Sequence, residues 1–327
     1  MKLSELIAYR NLLLKPNIQD IVYQSEREFE SIVHTVKNSP IQIRSHTQTL
    51  EEDLVNTRDI HNQFKSTLNE IIIGLNLEIE TEEKSYYENS LAEYNKITYN
   101  RYNGRIVHSL DILKRIIQIT PDARLMITNR IKSYIDWKNA GMIIRPGHED
   151  FIKHLVECDP LYIIDHDEEL LKESVTEFSE EYQARIRHHY ITDVTTHTGK
   201  PLIETIPNGQ FGFCLAYNFF NFVAMEPFEQ YLKEIFSKLK PGGILALTFN
   251  DCDYAHGVGL VERNYSFYTP GKRVLAAAKS IGYKQMFSWT DGGDFTWLEL
   301  RKPGALESLK GGQTLAKILP KTLAKSK

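Results

Sequence analysis

The sequence predicts an α/β chain: a doubly wound, seven-stranded sheet preceded by an all-helical module. Three observations predict it. From Gly141 onward, short apolar runs alternate with helical stretches, the order that parallel strands joined by crossover helices produce. Before residue 103, glycines and prolines are sparse, charges are frequent and apolar residues recur at helical spacing. The length, 327 residues, suits about two domains.

The helical module begins with a segment predicted to be capped by Ser4 and to end before Pro16. Further on, Leu50, Leu54, Phe64, Leu68, Ile71 and Leu75 are completed by Thr57 and His61 into an alternating three-four spacing. That spacing puts one seam on a long helix. Two readings follow: an amphipathic helix packed on its own domain, or a coiled-coil-like seam for a homo-oligomer or a protein partner. The tyrosines Tyr86, Tyr87, Tyr94, Tyr99 and Tyr102 are read as packing between helices. Asn103-Gly104 is a turn signal, which sets the expected divisions at 1–103, 104–302 and 303–327.

In the second division, helical periodicity runs through Ile112, Leu113, Ile116 and Ile117, then through Ile127, Ile131 and Ile135. Strands are predicted at 142–144, 161–164, 187–191, 211–215, 244–249, 284–289 and 296–300, with helices between them.

Composition excludes some functions. Hydrophobic residues make up 42% and charged residues 25%, ordinary values for a folded protein. A net charge of −4 argues against a grip on nucleic acid by the whole surface. The tail is basic: Lys310, Lys317, Lys321, Lys325 and Lys327 follow the last acidic residue, Glu307. That tail reads as solvated, or as a contact for a phosphate backbone or acidic partner. Cys158, Cys214 and Cys252 are too few and too scattered for a disulfide framework or a zinc site, so reduced thiols in the cytoplasm are expected. Charges interrupt the first apolar stretch, so no signal peptide is expected, and no apolar run approaches the ~20 residues that cross a bilayer. Richness in Asn, Ile, Lys and Tyr also suits a virus- or phage-encoded particle protein, which would place the chain in a virion.

In open α/β sheets ligands bind beyond the carboxyl ends of the strands. After the fourth predicted strand come Tyr217-Asn218-Phe219-Phe220-Asn221, a helix, Leu239-Lys240-Pro241-Gly242-Gly243 and the fifth strand. Ser266-Phe267-Tyr268-Thr269-Pro270, another helix and Ile281-Gly282-Tyr283 follow. This order resembles the second half of a class I S-adenosylmethionine (SAM) dependent methyltransferase, a Rossmann-like fold, over about residues 125–302.

The resemblance implies a set of pocket residues. An acidic residue and a G-x-G-x-G loop would close the first strand. Here the acidic position is Ile143, and the loop reads Arg145, Gly147 and Glu149, so the middle glycine alone remains. Arg145 either occludes the methionine arm of SAM or pairs with its carboxylate. Asp165, 18 residues after Gly147, would accept the ribose hydroxyls. Asp193 would meet the adenine amine, with Ile206-Pro207 fitting the pattern and Gly212 replacing its usual Asp. Tyr217 and Asn218 would line the pocket where methyl group and acceptor meet. The absence of an Asp/Asn-Pro-Pro-Tyr motif there points to the small-molecule group of the superfamily.

Other candidates are local. His256 could face the acceptor as a base, and Cys252 reads as a buried thiol. His166-Asp167-Glu168-Glu169 looks like a metal cluster but has no second ligand set, so no metal is expected.

In the chemistry implied, SAM supplies a methyl group on a sulfonium, and the protein aligns an acceptor and excludes water. The function expected is methyl transfer to an unnamed acceptor. The alternative is a catalytically degenerate fold serving as a structural or assembly component. A third, nucleic-acid modification, draws on the basic tail.

Overall fold

The computed structural model describes residues 2–15, 27–28, 30–32, 34–35, 38, 44–97, 104–106, 108–109, 119–144, 150–165, 168–176, 178–190, 203, 205–291 and 295–306. The chain divides into two compact units, Met1–Ser85 and Tyr86–Lys327.

In the first unit, helix α1 spans Leu3–Leu13 and buries Leu3, Leu6 and Ile7. It begins before Ser4, which therefore lies inside the helix and is not its cap. The Lys2 backbone N–H donates to the Glu5 carboxylate at 3.0 Å, satisfying a donor that the first turn leaves open. Helix α2 runs for 53 residues, Arg44–Lys96, on the order of 80 Å at 1.5 Å per residue. The division between the units falls within it. Of the predicted seam, Thr57, His61, Leu68 and Leu75 are half-buried, whereas Phe64 and Ile71 are 47% and 48% exposed. The side chains of Leu50 and Leu54 lie outside the described residues.

In the second unit, Tyr86, Tyr87, Ser90 and Tyr94 occupy the end of α2. The tyrosines meet both an extended segment and other helices: Tyr86 donates its hydroxyl to Glu262 at 3.2 Å and the Arg273 guanidinium lies 4.4 Å from the Tyr87 ring centre, both partners being helical. The Tyr87 ring is edge-on to Tyr268 at 5.0 Å, and Tyr94 to Phe267 at 5.7 Å. Ser90 Oγ accepts the Tyr268 backbone N–H at 3.2 Å. Tyr99 and Tyr102 lie outside the described residues, as do Ile112, Leu113, Ile116 and Ile117.

Helix α3, Pro121–Tyr134, opens with Thr120 Oγ1 accepting the Ala123 N–H and with proline in the first turn. It buries Ile127 and Ile131, and Ile135 is buried just beyond it. The remaining elements are β1 Ala140–Ile144, a 3₁₀ turn Asp150–Leu155, β2 Leu161–Asp165, α4 Glu168–Glu173, α5 Glu180–Gln183 and β3 Ile186–Tyr190. Then come β4 Phe211–Ala216, a 3₁₀ turn Phe220–Phe222, α6 Met225–Lys238, β5 Leu239–Phe249, α7 Ala255–Glu262, α8 Gly271–Ile281, β6 Lys284–Asp291 and β7 Phe295–Arg301. All seven predicted strands are present.

The strands form one sheet in the order β3-β2-β1-β4-β5-β7-β6. Pairings from β3 through β5 are parallel, and β7 is antiparallel to both its neighbours. Successive residues point to opposite faces, so the apolar runs feed two cores. Met142, Ile144, Leu245 and Leu247 join Phe228, Leu232 and Ile235 of α6 and Val274 of α8. Ile143, Ile163, Leu215 and Ala246 join Ile127 and Ile131 of α3.

Two glycines have clear steric reasons. Gly242 sits at φ +81°, and a Cβ there would stand 2.5 Å from the Leu306 backbone nitrogen. Gly212, where the resemblance implied an Asp, has its space taken: a Cβ would lie 2.7 Å from Asn139 Cβ and 3.1 Å from Leu306 Cδ2. Among the described residues no helix is long and apolar enough to cross a membrane.

Candidate functional site

The chain enters the sheet at β1, runs outward through β2 to β3, then returns to β4 on the other side of β1. The carboxyl ends of β1 and β4 thus flank the point where strand order reverses, which is where ligands bind in such sheets.

Asp165 is the last residue of β2, in register with Tyr190 of β3, and is 1% exposed. A carboxylate brought this far from water needs hydrogen-bonding partners. Ile143, two strands' breadth from β3 in β1, is also 1% exposed and belongs to the apolar core. It offers no polar group.

Beyond β4, Tyr217 is buried with its ring 4.6 Å from Phe151 and 5.8 Å from Phe295. Asn218 turns the chain at φ +53°, a left-handed conformation that asparagine tolerates better than most residues. Its backbone N–H donates to Thr248 Oγ1 of β5 at 2.7 Å, which fixes the turn to the neighbouring strand. Its side chain is half-exposed. Of the predicted pocket residues, Asp165, Tyr217 and Asn218 are described at strand ends. Arg145, Gly147 and Asp193 lie outside the described residues.

The segment after β5 is tightly bonded. Asp251 Oδ1 accepts the backbone N–H groups of Gly271, at the start of α8, and of Asp253, at 2.8 and 2.9 Å. Asp253 Oδ2 accepts the Lys272 N–H at 2.7 Å. Two carboxylates from one loop therefore cap α8, at the end where its dipole favours negative charge. Burial, then the neighbouring Asp253, lifts the Asp251 carboxyl to about 6, against the pull of its hydrogen bonds. Cys252 is fully buried, and its Sγ accepts the Thr269 N–H at 3.3 Å, so it is a packed thiol. His256 lies in the first turn of α7 and is half-buried. Asn221 Oδ1 accepts the Asn250 N–H at 2.8 Å, and its carbonyl accepts the Phe267 N–H at 2.9 Å. Sequence reading missed these contacts, because nothing local marks a bond between residues so far apart in the chain.

Among the described residues, no group of three or more His, Cys, Asp and Glu is placed to hold a metal ion. A groove of about 650 Å³ between α6 and α8 is lined by helix residues, Glu226, Glu229 and Glu234 among them, and includes no strand end.

The seven strands of one doubly wound sheet are those the resemblance implied, and the structure adds their order and an antiparallel β7 where parallel strands were expected throughout. The domain has the class I SAM-dependent methyltransferase fold. No family model matches the chain, and no curated protein matches it. Solved structures do. An O-methyltransferase family protein from Burkholderia thailandensis matches with TM-score 0.47 and 10% identity, over 70% of this chain and 72% of that one. The N-methyltransferase NodS from Bradyrhizobium japonicum WM9, solved with S-adenosyl-L-homocysteine, matches with TM-score 0.40 and 13% identity, over 57% and 90%. The [4+2]-cyclase SpnF matches with TM-score 0.42 and 13% identity, over 56% and 83%. The methyltransferase fold here is decided by the sheet's own strand order.

Proposed function

We propose that the chain binds SAM and transfers its methyl group to a small acceptor. The buried carboxylate of Asp165, at the carboxyl end of β2 beside the switch point, supports this reading most. A carboxylate can accept two hydroxyls at once, the donor set that a ribose presents. Asp193, Arg145 and Gly147 would complete the cofactor's contacts, as the resemblance implies. When bound, SAM supplies an electrophilic methyl group. The protein's part is placement. The tight turn at Asn218 puts a polar side chain at the end of β4, with Tyr217 packed behind it against Phe151 and Phe295, where these rings would help to exclude water from a bound acceptor.

Calorimetric titration with SAM and with S-adenosylhomocysteine tests the proposal. Binding in the micromolar range, weakened roughly tenfold or more by Asp165→Ala with the fold intact by circular dichroism, is the expected result.

A second reading has its own observation. Ile143 buries an apolar side chain where the acidic residue of a SAM loop stands, and two of the three loop glycines are Arg145 and Glu149. On that reading the domain is a scaffold that no longer holds cofactor. The same titration separates the two, since absence of heat at millimolar ligand favours the scaffold.

A further inference from the structure

The end of the sheet opposite the switch point carries a charge arrangement that the methyltransferase reading does not use. There β5 and β6 begin and β7 ends. Lys284, the first residue of β6, stands directly opposite Arg301, the last of β7. Residues paired in this way share one face of the sheet, with Cα atoms about 4.5–5.5 Å apart, and like charges so placed repel. Lys302 follows Arg301, and Lys240 lies at the start of β5. Lys284 is exposed and the other three are half-buried.

The surroundings anchor these cations without neutralising them. Lys302 Nζ donates to the carbonyls of Phe236 and Leu239 at 2.7 and 2.8 Å. Lys240 Nζ donates to Asn139 Oδ1 at 3.1 Å, and Arg301 Nη2 to the Gly304 carbonyl at 3.2 Å. Each acceptor is a neutral oxygen. Among the described residues, no carboxylate lies within ion-pair distance of Lys240, Lys284, Arg301 or Lys302. Glu299, the acid of β7, is committed to Arg130, and Asp136 is reached from Lys240 only through Asn139. A lysine has three N–H donors and an arginine five, so each anchored cation keeps donors to spare. Anchored side chains also lose less freedom when a partner arrives.

We propose that Lys240, Lys284, Arg301 and Lys302 form a docking surface for a nucleic-acid backbone. Cations fixed side by side on adjacent strands ask for anions repeated at short intervals. A phosphodiester chain supplies them, one per ~3.4 Å along each strand of a duplex, and an arginine meets phosphate with two parallel N–H groups. A lone carboxylate side chain answers one cation and leaves the opposed pair in place. A lipid surface holds a basic patch best where apolar side chains flank it. Here the exposed chain neighbours are Pro241, Gln285, Pro303 and Gly304, none of them a large apolar residue. Contacts of this kind grip the backbone and carry no sequence preference. The surface lies at the far end of the sheet from the proposed cofactor pocket, so it stands or falls separately from the SAM reading.

The test is fluorescence anisotropy of the full chain with labelled single-stranded RNA and duplex DNA, in KCl from about 50 to 200 mM. The expected result is binding whose log K falls linearly with log[KCl]. Lys284→Gln with Arg301→Gln should bind roughly tenfold more weakly at the lowest salt and lower the slope by about 2. Lys284→Gln alone, at an exposed position, should lower it by about 1 and, by removing one of two opposed charges, leave Tm unchanged or raised. Lys84→Gln with Lys96→Gln, exposed lysines of α2, makes the same change in net charge as the first pair and should leave the slope as it is. Four results overturn the proposal: no binding at the lowest salt, a slope that the Lys284 and Arg301 changes do not alter, an equal loss from the α2 pair, or tighter binding to phosphatidylserine vesicles or polyglutamate than to either nucleic acid.

Discussion

Arg130 and Glu299 form a two-point ion pair with almost no exposure to water, 2% for one side chain and none for the other. Arg130 Nε and Nη2 donate to the two carboxylate oxygens, the second at 2.5 Å. Tyr134 donates its hydroxyl to Glu299 Oε2, also at 2.5 Å, and Trp297 donates its indole N–H to Oε1 at 2.8 Å. The guanidinium lies 3.6 Å from the centre of the Phe287 ring. The network ties the helix before β1 to the last strand, across residues 169 apart in the chain.

Removing one charge strands the other in an apolar core. Arg130→Met should cost about 3–5 kcal/mol, because the desolvated carboxylate keeps two neutral donors and loses its counter-charge. Arg130→Met with Glu299→Gln should recover a large part of that loss, since the glutamine oxygen still accepts from Trp297. Urea denaturation of the parent and the two variants checks this. A loss below about 1 kcal/mol for Arg130→Met would show that the pair contributes little.

The Asp251 carboxyl makes a pH prediction with a definite sign. Its folded value, about 6, is above its ordinary 3.8. Between those values the folded chain binds a proton that the unfolded chain does not, so stability from this group is fully present below about 4 and lost as pH rises through 6. Asp251→Asn keeps an oxygen for the Gly271 N–H and removes the titration. The variant should gain on the parent by on the order of 2 kcal/mol between pH 4 and pH 8. Parallel stability curves for the two proteins over that range would refute the account.

The seven strands were legible because each is a short apolar run bounded by polar or turn residues, and period and boundary need no distant partner. Strand 5 starts earlier than the run implies, because Leu239 already pairs with Phe211 and Pro241-Gly242-Gly243 form an irregularity before pairing resumes at Ile244. The long-range bonds were not legible. Nothing near Arg130 announces Glu299, and nothing near the tyrosines of α2 announces Phe267 and Tyr268. The place of Asp165 at the carboxyl end of β2 was legible because it closes an apolar run. The burial of Asn250 was not, because an asparagine at a strand end usually signals a turn, and its N–H is taken by the distant Asn221.

The cysteines give a labelling prediction. Cys158, Cys214 and Cys252 are 3%, 0% and 0% exposed, and burial pushes the Cys214 thiol far up from its ordinary value. A disulfide reagent at pH 8 should leave all three unmodified in the native chain and react with all three in urea. Rapid modification of one thiol per native chain would place that cysteine outside the core.

Gly212 tests whether the departure from the pattern the resemblance implied is steric. Asn139, 4% exposed, fills the space beside Gly212; its amide donates to Asp136 and its oxygen accepts from Lys240 at 3.1 Å. A Cβ at 212 would stand 2.7 Å from Asn139 Cβ, closer than the side chain's outer torsions can relieve. Gly212→Ala should therefore cost about 1–3 kcal/mol by overpacking. Gly212→Asp, which places there the residue the resemblance implied, should cost more, because its carboxylate arrives buried where Asp136 is already close by through Asn139. A domain of this size loses about 2–4 °C in Tm per kcal/mol, so calorimetry resolves both steps. Moving the glycine across the contact, with Asn139→Gly and Gly212→Ala together, frees the space again. That variant should be more stable than the sum of its single changes predicts, and strict additivity would mean that Asn139 is not what excludes the side chain.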